Sequence, residues 1–179
     1  MIGLNISKFD ETTIKLTSNL PTSLRPFFEL ISYIGHPITT SSIGFMIVVY
    51  GLLKHKPTIV ISGTFVWLVL IVSTILKNIT ERARPLTEYV AGMYFHSYSF
   101  PSGHTAGSTI AFGLLAYYCY HLIPSPLSYI TLTIFTSLIL LVGISRVYMG
   151  AHYPSDVIGG WILGGIVLCI VVLIIKPLK

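Results

Sequence analysis

The chain has 179 residues, of which 53% are hydrophobic and only 9% charged, and its mean hydropathy is +0.81. This excludes an ordinary soluble domain, in which about a quarter of the residues are charged. The net charge of +5 at pH 7 would raise nucleic-acid binding in a soluble protein, but here the charges fall at the edges of apolar stretches, which removes that class.

From the amino terminus, Phe9, Thr13, Leu16 and Leu20 recur at helical spacing among Asp10, Glu11 and Lys15, a pattern that suits a helix lying in the headgroup layer. Residues 1–26 lack a basic start followed by an apolar run, so no cleavable signal peptide is expected. Pro21 and Pro26 mark the bend into the membrane, because the residue before a proline disfavours helix. A spanning helix needs about 20 predominantly apolar residues. Five stretches free of Lys, Arg, Asp and Glu qualify: Leu30–Leu53, Pro57–Leu76, Ser102–Tyr120, Pro126–Ile144 and Val157–Ile175. The expected fold is all-α, a polytopic bundle of five transmembrane helices behind an interfacial helix, with 1–26 as the interfacial segment and 27–179 as the bundle of one domain. Cys119 and Cys169 fall inside predicted spans, where a thiol behaves as a small apolar side chain, and indicate no disulfide framework.

Three short stretches at span edges carry the chemistry. Lys77 closes the second span and Arg84, followed by Pro85, lies seven residues on; in a continuous helix that is about two turns and one face, so both could meet one anion. Pro101-Ser102-Gly103-His104 opens the third span, turning free N–H groups and the positive end of a helix dipole toward the same interface. Gly103 there lets an anion approach the backbone, and His104 lies in the first helical turn. Ser145-Arg146 ends the fourth span, and His152 precedes Asp156 by four residues, a spacing that lets carboxylate and ring meet if Pro154 starts the fifth helix. An Asp bonded to one ring nitrogen fixes the tautomer and leaves the other lone pair free to attack. Any one stretch alone is matched by a bland reading, a snorkelling cation or a capping Asp. Together they gather three cations, two histidines and a carboxylate at one face, a set of parts for phosphoryl transfer. His36, His55, His96 and His121 receive no role.

The 16-residue connection Leu86–Pro101 carries Tyr89, Tyr94, Phe95, Tyr98 and Phe100, which suit a substrate mouth and interfacial anchors equally. Gly160 and Gly164 form a G-x-x-x-G pair suited to close helix packing. The sequons Asn5-Ile6-Ser7 and Asn78-Ile79-Thr80 are read as chance. Alternating the spans puts Lys54, Lys56, Lys176 and Lys179 on one side without any acid. Orientation follows the Lys/Arg excess of short cytoplasmic loops, so the motif face is expected outside, with the amino terminus out and the carboxy terminus in.

The ordered pattern Lys77-x6-Arg84-Pro85, Pro101-Ser102-Gly103-His104 and Ser145-Arg146-x5-His152-x3-Asp156 resembles the full signature of the type 2 phosphatidic acid phosphatase (PAP2) superfamily, membrane lipid phosphatase branch, with no position departing. The likeness covers Lys77–Asp156 by motif and the last five of the family's usual six helices by arrangement. It implies that His152 attacks phosphorus to give a phosphohistidine, with Asp156 orienting it. It further implies that His104 protonates the departing oxygen and then activates water, and that Lys77, Arg84, Ser102, Gly103 and Arg146 cradle the phosphate. Because no acidic cluster for a metal is present, the expected enzyme uses no metal or other cofactor. A cradle level with the headgroups favours a lipid phosphate or diphosphate, of the polyprenyl diphosphate, phosphatidylglycerophosphate or phosphatidate class, in a protein of the plasma membrane. Transfer to a lipid acceptor in place of water, or lipid binding and transport without catalysis, are the alternatives.

Overall fold

The computed structural model describes residues 6–92 and 97–175. They are helical throughout apart from connections: α1 (Lys8–Ser18), a 3-10 turn (Thr22–Leu24), α2 (Arg25–Ile34), α3 (Pro37–Leu53), α4 (Pro57–Thr80), α5 (Glu88–Ala91), α6 (Gly103–Leu122), α7 (Leu127–Tyr148) and α8 (Pro154–Ile175). Proline supplies the first-turn residue of α3, α4 and α8, where its missing N–H costs nothing and its fixed φ favours the helix. In α1, Ser7 and Asp10 form a reciprocal capping box, which satisfies two free amides at once.

Among the described residues four segments are long and apolar enough to cross a membrane: Thr22–Leu53, α4, α7 and α8. The chain is an integral membrane protein. Two expectations change. The first span, drawn as one helix over Leu30–Leu53, is broken at Gly35-His36 into α2 and α3, because Pro37 forces its predecessor out of helix. The third, expected as a span like the rest, is a 20-residue helix, α6, that falls outside this apolar set. It is the helix the others surround, packing on α3, α4, α7 and α8, and a helix shielded from lipid need not be apolar. Gly103, Thr105, Ser108 and Thr109 in its first two turns are read accordingly.

In hydrocarbon the lipid tails are as apolar as Leu, so helices associate through close packing and internal polar contacts. Ala106, Ile110, Ala111 and Leu114 of α6 have no exposed surface, and Ser62 Oγ of α4 meets Tyr118 Oη of α6 at 2.6 Å. The G-x-x-x-G pair of α8 faces α6, as expected for close packing. A Cβ at Gly160 would come within 2.8 Å of the Ser102 carbonyl oxygen, and one at Gly164 within 2.7 Å of that of Ala106. Only glycine permits that approach. Outward, Leu53, Ile134, Leu140 and Leu173 stay exposed, which suits a surface wetted by lipid.

Candidate active site

The chain order α3–α4–α6–α7–α8 alternates direction, so the starts of α3, α6 and α8 and the ends of α4 and α7 share one face. Every motif residue lies there. At α4 the expected geometry is corrected. The helix runs through Lys77 to Thr80 and stops at Glu81, which takes the left-handed conformation at φ 47°, a position costing a non-glycine residue about 1 kcal/mol. Lys77 and Arg84 therefore do not share a helix face. Lys77 Nζ donates to the carbonyls of Tyr98 (2.8 Å) and Ser99 (3.0 Å), whereas Arg84 lies on the irregular segment that follows Glu81. That segment is pinned by the Ser99 N–H donating to the Arg82 carbonyl at 2.8 Å.

Ser102 caps α6, its Oγ accepting from the Thr105 hydroxyl at 2.9 Å, while its own N–H donates to the Asp156 carbonyl at 3.0 Å. That bond locks the start of α6 to the first turn of α8. Gly103 leaves open room, the nearest atom to an added Cβ being Ser73 Oγ at 3.6 Å, itself buried and without a partner. His104 stacks edge-on to His36, ring centroids 5.2 Å apart; His36 Nδ1 accepts from the Ile38 N–H at 3.2 Å. His36, given no role by sequence, therefore adjoins the site.

Arg146, 2% exposed, donates to Ser32 Oγ and lies 5.7 Å from the centre of the Tyr89 ring. Its Nε is buried and unpartnered, an unspent donor. The turn Met149–Tyr153 carries His152. Gly150 makes it possible with φ +64°, and a Cβ there would meet Thr87 Cγ2 at 2.7 Å. Of the expected mouth aromatics, Tyr89 is placed at Arg146, Tyr98 is partly exposed, and Tyr94 and Phe95 lie outside the described residues.

Around His152, Arg84 Nη1 donates to the Ala151 carbonyl at 2.9 Å and to His152 Nε2 at 3.3 Å. With Nε2 accepting, the proton resides on Nδ1, which faces Ser99 Oγ at 3.4 Å and Asp156 Oδ2 at 3.5 Å. Ring and carboxylate are thus close, but Ser99 stands between them, donating to Asp156 Oδ2 at 2.5 Å. Burial first, then the charges of Arg84, Lys77 and Arg146, hold the His152 imidazole well below its ordinary pKa. The ring is neutral at pH 7.

Asp156, with no exposed surface, also accepts from the Tyr153 N–H at 2.9 Å and from Arg82 Nη1 at 2.5 Å. Arg82 reaches onward to Asp10 of α1, 2.7 Å away. From sequence, Asp10 is one of the charged residues of a headgroup-layer helix and Arg82 a cation adjoining the motifs, neither a site residue; both are buried here, and their pairing has no local signal, since 72 residues separate the partners. Ser99 was missed as well, its only cue being its place just before the Pro101 stretch. Among the described residues no group of three His, Cys, Asp or Glu side chains is arranged to hold a metal.

A neutral imidazole backed by a serine and a carboxylate, with Lys77 and Arg146 at helix ends and Arg84 on the connection after α4, is an arrangement that can take a tetrahedral oxyanion, in an integral membrane protein. The PAP2 superfamily model matches residues 58–179, and the chain belongs to that superfamily. It is 35% identical over 96 residues to phosphatidylglycerophosphatase B of Bacillus subtilis, covering 52% of this chain and 46% of that protein. It is 34% identical over 118 residues to lipid A 1-phosphatase of Rhizobium etli, covering 60% and 43%. The matches thus span somewhat less than half the length of these two relatives. The crystal structure of a transmembrane PAP2-type phosphatidylglycerolphosphate phosphatase from Bacillus subtilis superposes with a TM-score of 0.78 at 27% identity, covering 95% of this chain and 86% of that one.

Proposed function

We propose that this chain is a phosphatase hydrolysing a lipid phosphate or diphosphate of the phosphatidylglycerophosphate, polyprenyl diphosphate or phosphatidate class through a phosphohistidine on His152, residues 1–26 and 27–179 acting as one domain. One observation carries the reading: His152 Nε2 faces Arg84 at 3.3 Å while its Nδ1 side is backed by Ser99 and Asp156. The Nε2 lone pair attacks phosphorus as the bond to the departing lipid oxygen breaks, and His104 gives that oxygen its proton. Neutral His104 then takes a proton from water, whose oxygen attacks the phosphohistidine. Inorganic phosphate leaves and His152 is regenerated. Lys77, Arg84 and Arg146, with the Ser102 hydroxyl and the Gly103 amide, hold the charge developing on the phosphoryl oxygens. Those cations supply what Mg²⁺ supplies in other phosphoryl transfers, so the reaction proceeds without metal.

The lipid half of the proposal rests on surroundings. A cleft of about 590 Å³ beside Tyr89 and Gly150 is lined by Lys15 and Arg25, fitting a polar headgroup. An apolar groove of about 280 Å³ runs by Leu20, Phe28, Val147, Val157 and Trp161, fitting a tail. Both relatives bear names of lipid phosphatases. Lys54 and Lys56, on the opposite side and without a neighbouring acid, support a site at the outer face of the plasma membrane.

A panel of phosphatidylglycerophosphate, a polyprenyl diphosphate, phosphatidate and glucose phosphate, assayed for released phosphate with purified protein, tests this. Release from a lipid and little from the sugar is expected. Preference for the sugar phosphate overturns the lipid reading, and a phosphorylated lipid acceptor in place of free phosphate makes the protein a phosphotransferase.

A further inference from the structure

Asp10 takes no part in the steps above, yet it is the most completely engaged carboxylate of the amino-terminal segment. It is 1% exposed. Its Oδ1 accepts from the Ser155 N–H at 3.1 Å, and its Oδ2 accepts from Arg82 Nη2 at 2.7 Å, Ser155 Oγ at 2.8 Å and Ser7 Oγ at 2.9 Å. Burial alone pushes the carboxyl up, but the bonds from Ser155, Arg82 and Ser7 outweigh it and leave it below its ordinary value. Asp10 is ionised at neutral pH.

The other arm of the same guanidinium belongs to the nucleophile's support. Arg82 Nη1 donates to Asp156 Oδ1 at 2.5 Å and to Ser155 Oγ at 2.6 Å, and the group sits 4.8 Å over the Tyr153 ring. One cation is thus shared by two buried carboxylates. As a mere fastening for α1 this is poorly chosen, because a buried ion pair is often no better than an apolar contact of equal volume. Phe9 and Leu16, the large apolar residues of α1, are instead 60% and 64% exposed. As a control on direction it makes sense. A guanidinium has a planar fork. With one arm held by Asp10, only the other meets Asp156, at Oδ1, leaving Oδ2 for Ser99 and the His152 side. Without Asp10 the fork is free to close on both Asp156 oxygens and draw the carboxylate from the ring.

We infer that Asp10 is a positioning residue for the reaction: carried by interfacial helix α1, it holds Arg82 so that Asp156 and Ser99 orient His152. This rests on the phosphohistidine reading of the site.

The test is a double-mutant cycle with p-nitrophenyl phosphate, whose cleavage needs His152 without lipid recognition. Asp10→Asn should lower kcat on the order of ten- to a hundredfold, with KM changed by less than about twofold, and Asp10→Glu should recover part of the loss. In an Asp156→Asn background the Asp10→Asn change should cost nothing further, because its route to the ring is already broken. Wild-type kcat for Asp10→Asn, or the same factor lost in both backgrounds, overturns the inference, since independent sites add. If the Asp10→Asn protein does not fold, the same cycle with Ser155→Ala, which removes a hydroxyl bonded to both Asp10 and Arg82, decides by the same rule. His152→Ala run in parallel separates the two readings. Turnover by that variant sinks the nucleophile assignment itself, whereas a dead His152→Ala beside an unimpaired Asp10→Asn sinks the positioning role alone.

Discussion

His152 has to be buried and cation-ringed without becoming a cation itself, and its environment reconciles these demands. Burial and the charges of Arg84, Lys77 and Arg146 depress its pKa well below the ordinary 6.5, so the lone pair is lost only when pH falls through that lowered value. The rate of His152 phosphorylation by p-nitrophenyl phosphate in single turnovers should accordingly hold from pH 7 through 6.5; a fall centred on 6.5 would show a ring that titrates like a free imidazole. His152→Ala should abolish turnover, and Asp156→Asn should leave a folded protein slower by on the order of a hundredfold or more, through a misoriented ring. His104 is distinguished by the leaving group. An acid matters most when a lipid alkoxide departs and least for nitrophenolate, so His104→Ala should slow lipid phosphate cleavage more than aryl phosphate cleavage; equal losses would remove its acid role.

At the scale of elements, the site depends on how tightly α8 lies against α6. The Ser102 N–H to Asp156 carbonyl bond joins the start of α6 to the carboxylate behind His152, and Gly160 permits that contact from one turn away. Gly160→Leu should therefore cost roughly 1–3 kcal/mol by overpacking and most of the activity, while Gly165→Leu, with nothing within 4 Å of its Cβ position, should cost little of either. Melting temperature and turnover in detergent check the pair, and equal behaviour of the two variants would contradict the packing argument. The elements were largely legible in sequence because apolar runs and first-turn prolines act locally: Pro57 and Pro154 begin α4 and α8 as their positions suggest. What was illegible depended on tertiary neighbours. Nothing in the run Lys77–Arg84 announces that Glu81 will turn left-handed and carry Arg84 off the helix, and nothing near Asp10 announces Arg82. The polar face of α6 was readable as residues, but its encirclement was not.

Over the whole molecule, the proposed orientation and the proposed chemistry both rest on charge. With Cys119 and Cys169 replaced by serine, a cysteine at Glu88 should react with an impermeant thiol reagent in intact cells and one at Lys54 should not; the reverse pattern would turn the protein over. If Lys77, Arg84 and Arg146 supply the electrostatics as proposed, turnover should survive chelation of divalent metals and be inhibited by vanadate, which adopts the five-coordinate geometry of the transferring phosphorus. Loss of activity in EDTA with recovery on adding Mg²⁺ would contradict that. The motif residues could be gathered from sequence because each stands at a span edge, and alternation of spans then brings them to one face; the Ser99 and Arg82 contacts behind them came only with the fold. The most direct measurement of the central claim is to quench the purified protein during turnover of phosphate-labelled phosphatidylglycerophosphate and locate the label. The account predicts an acid-labile, base-stable phosphohistidine on the peptide containing His152, accumulating further in His104→Ala and absent from His152→Ala. Label on another residue, or undiminished turnover by His152→Ala, would contradict it.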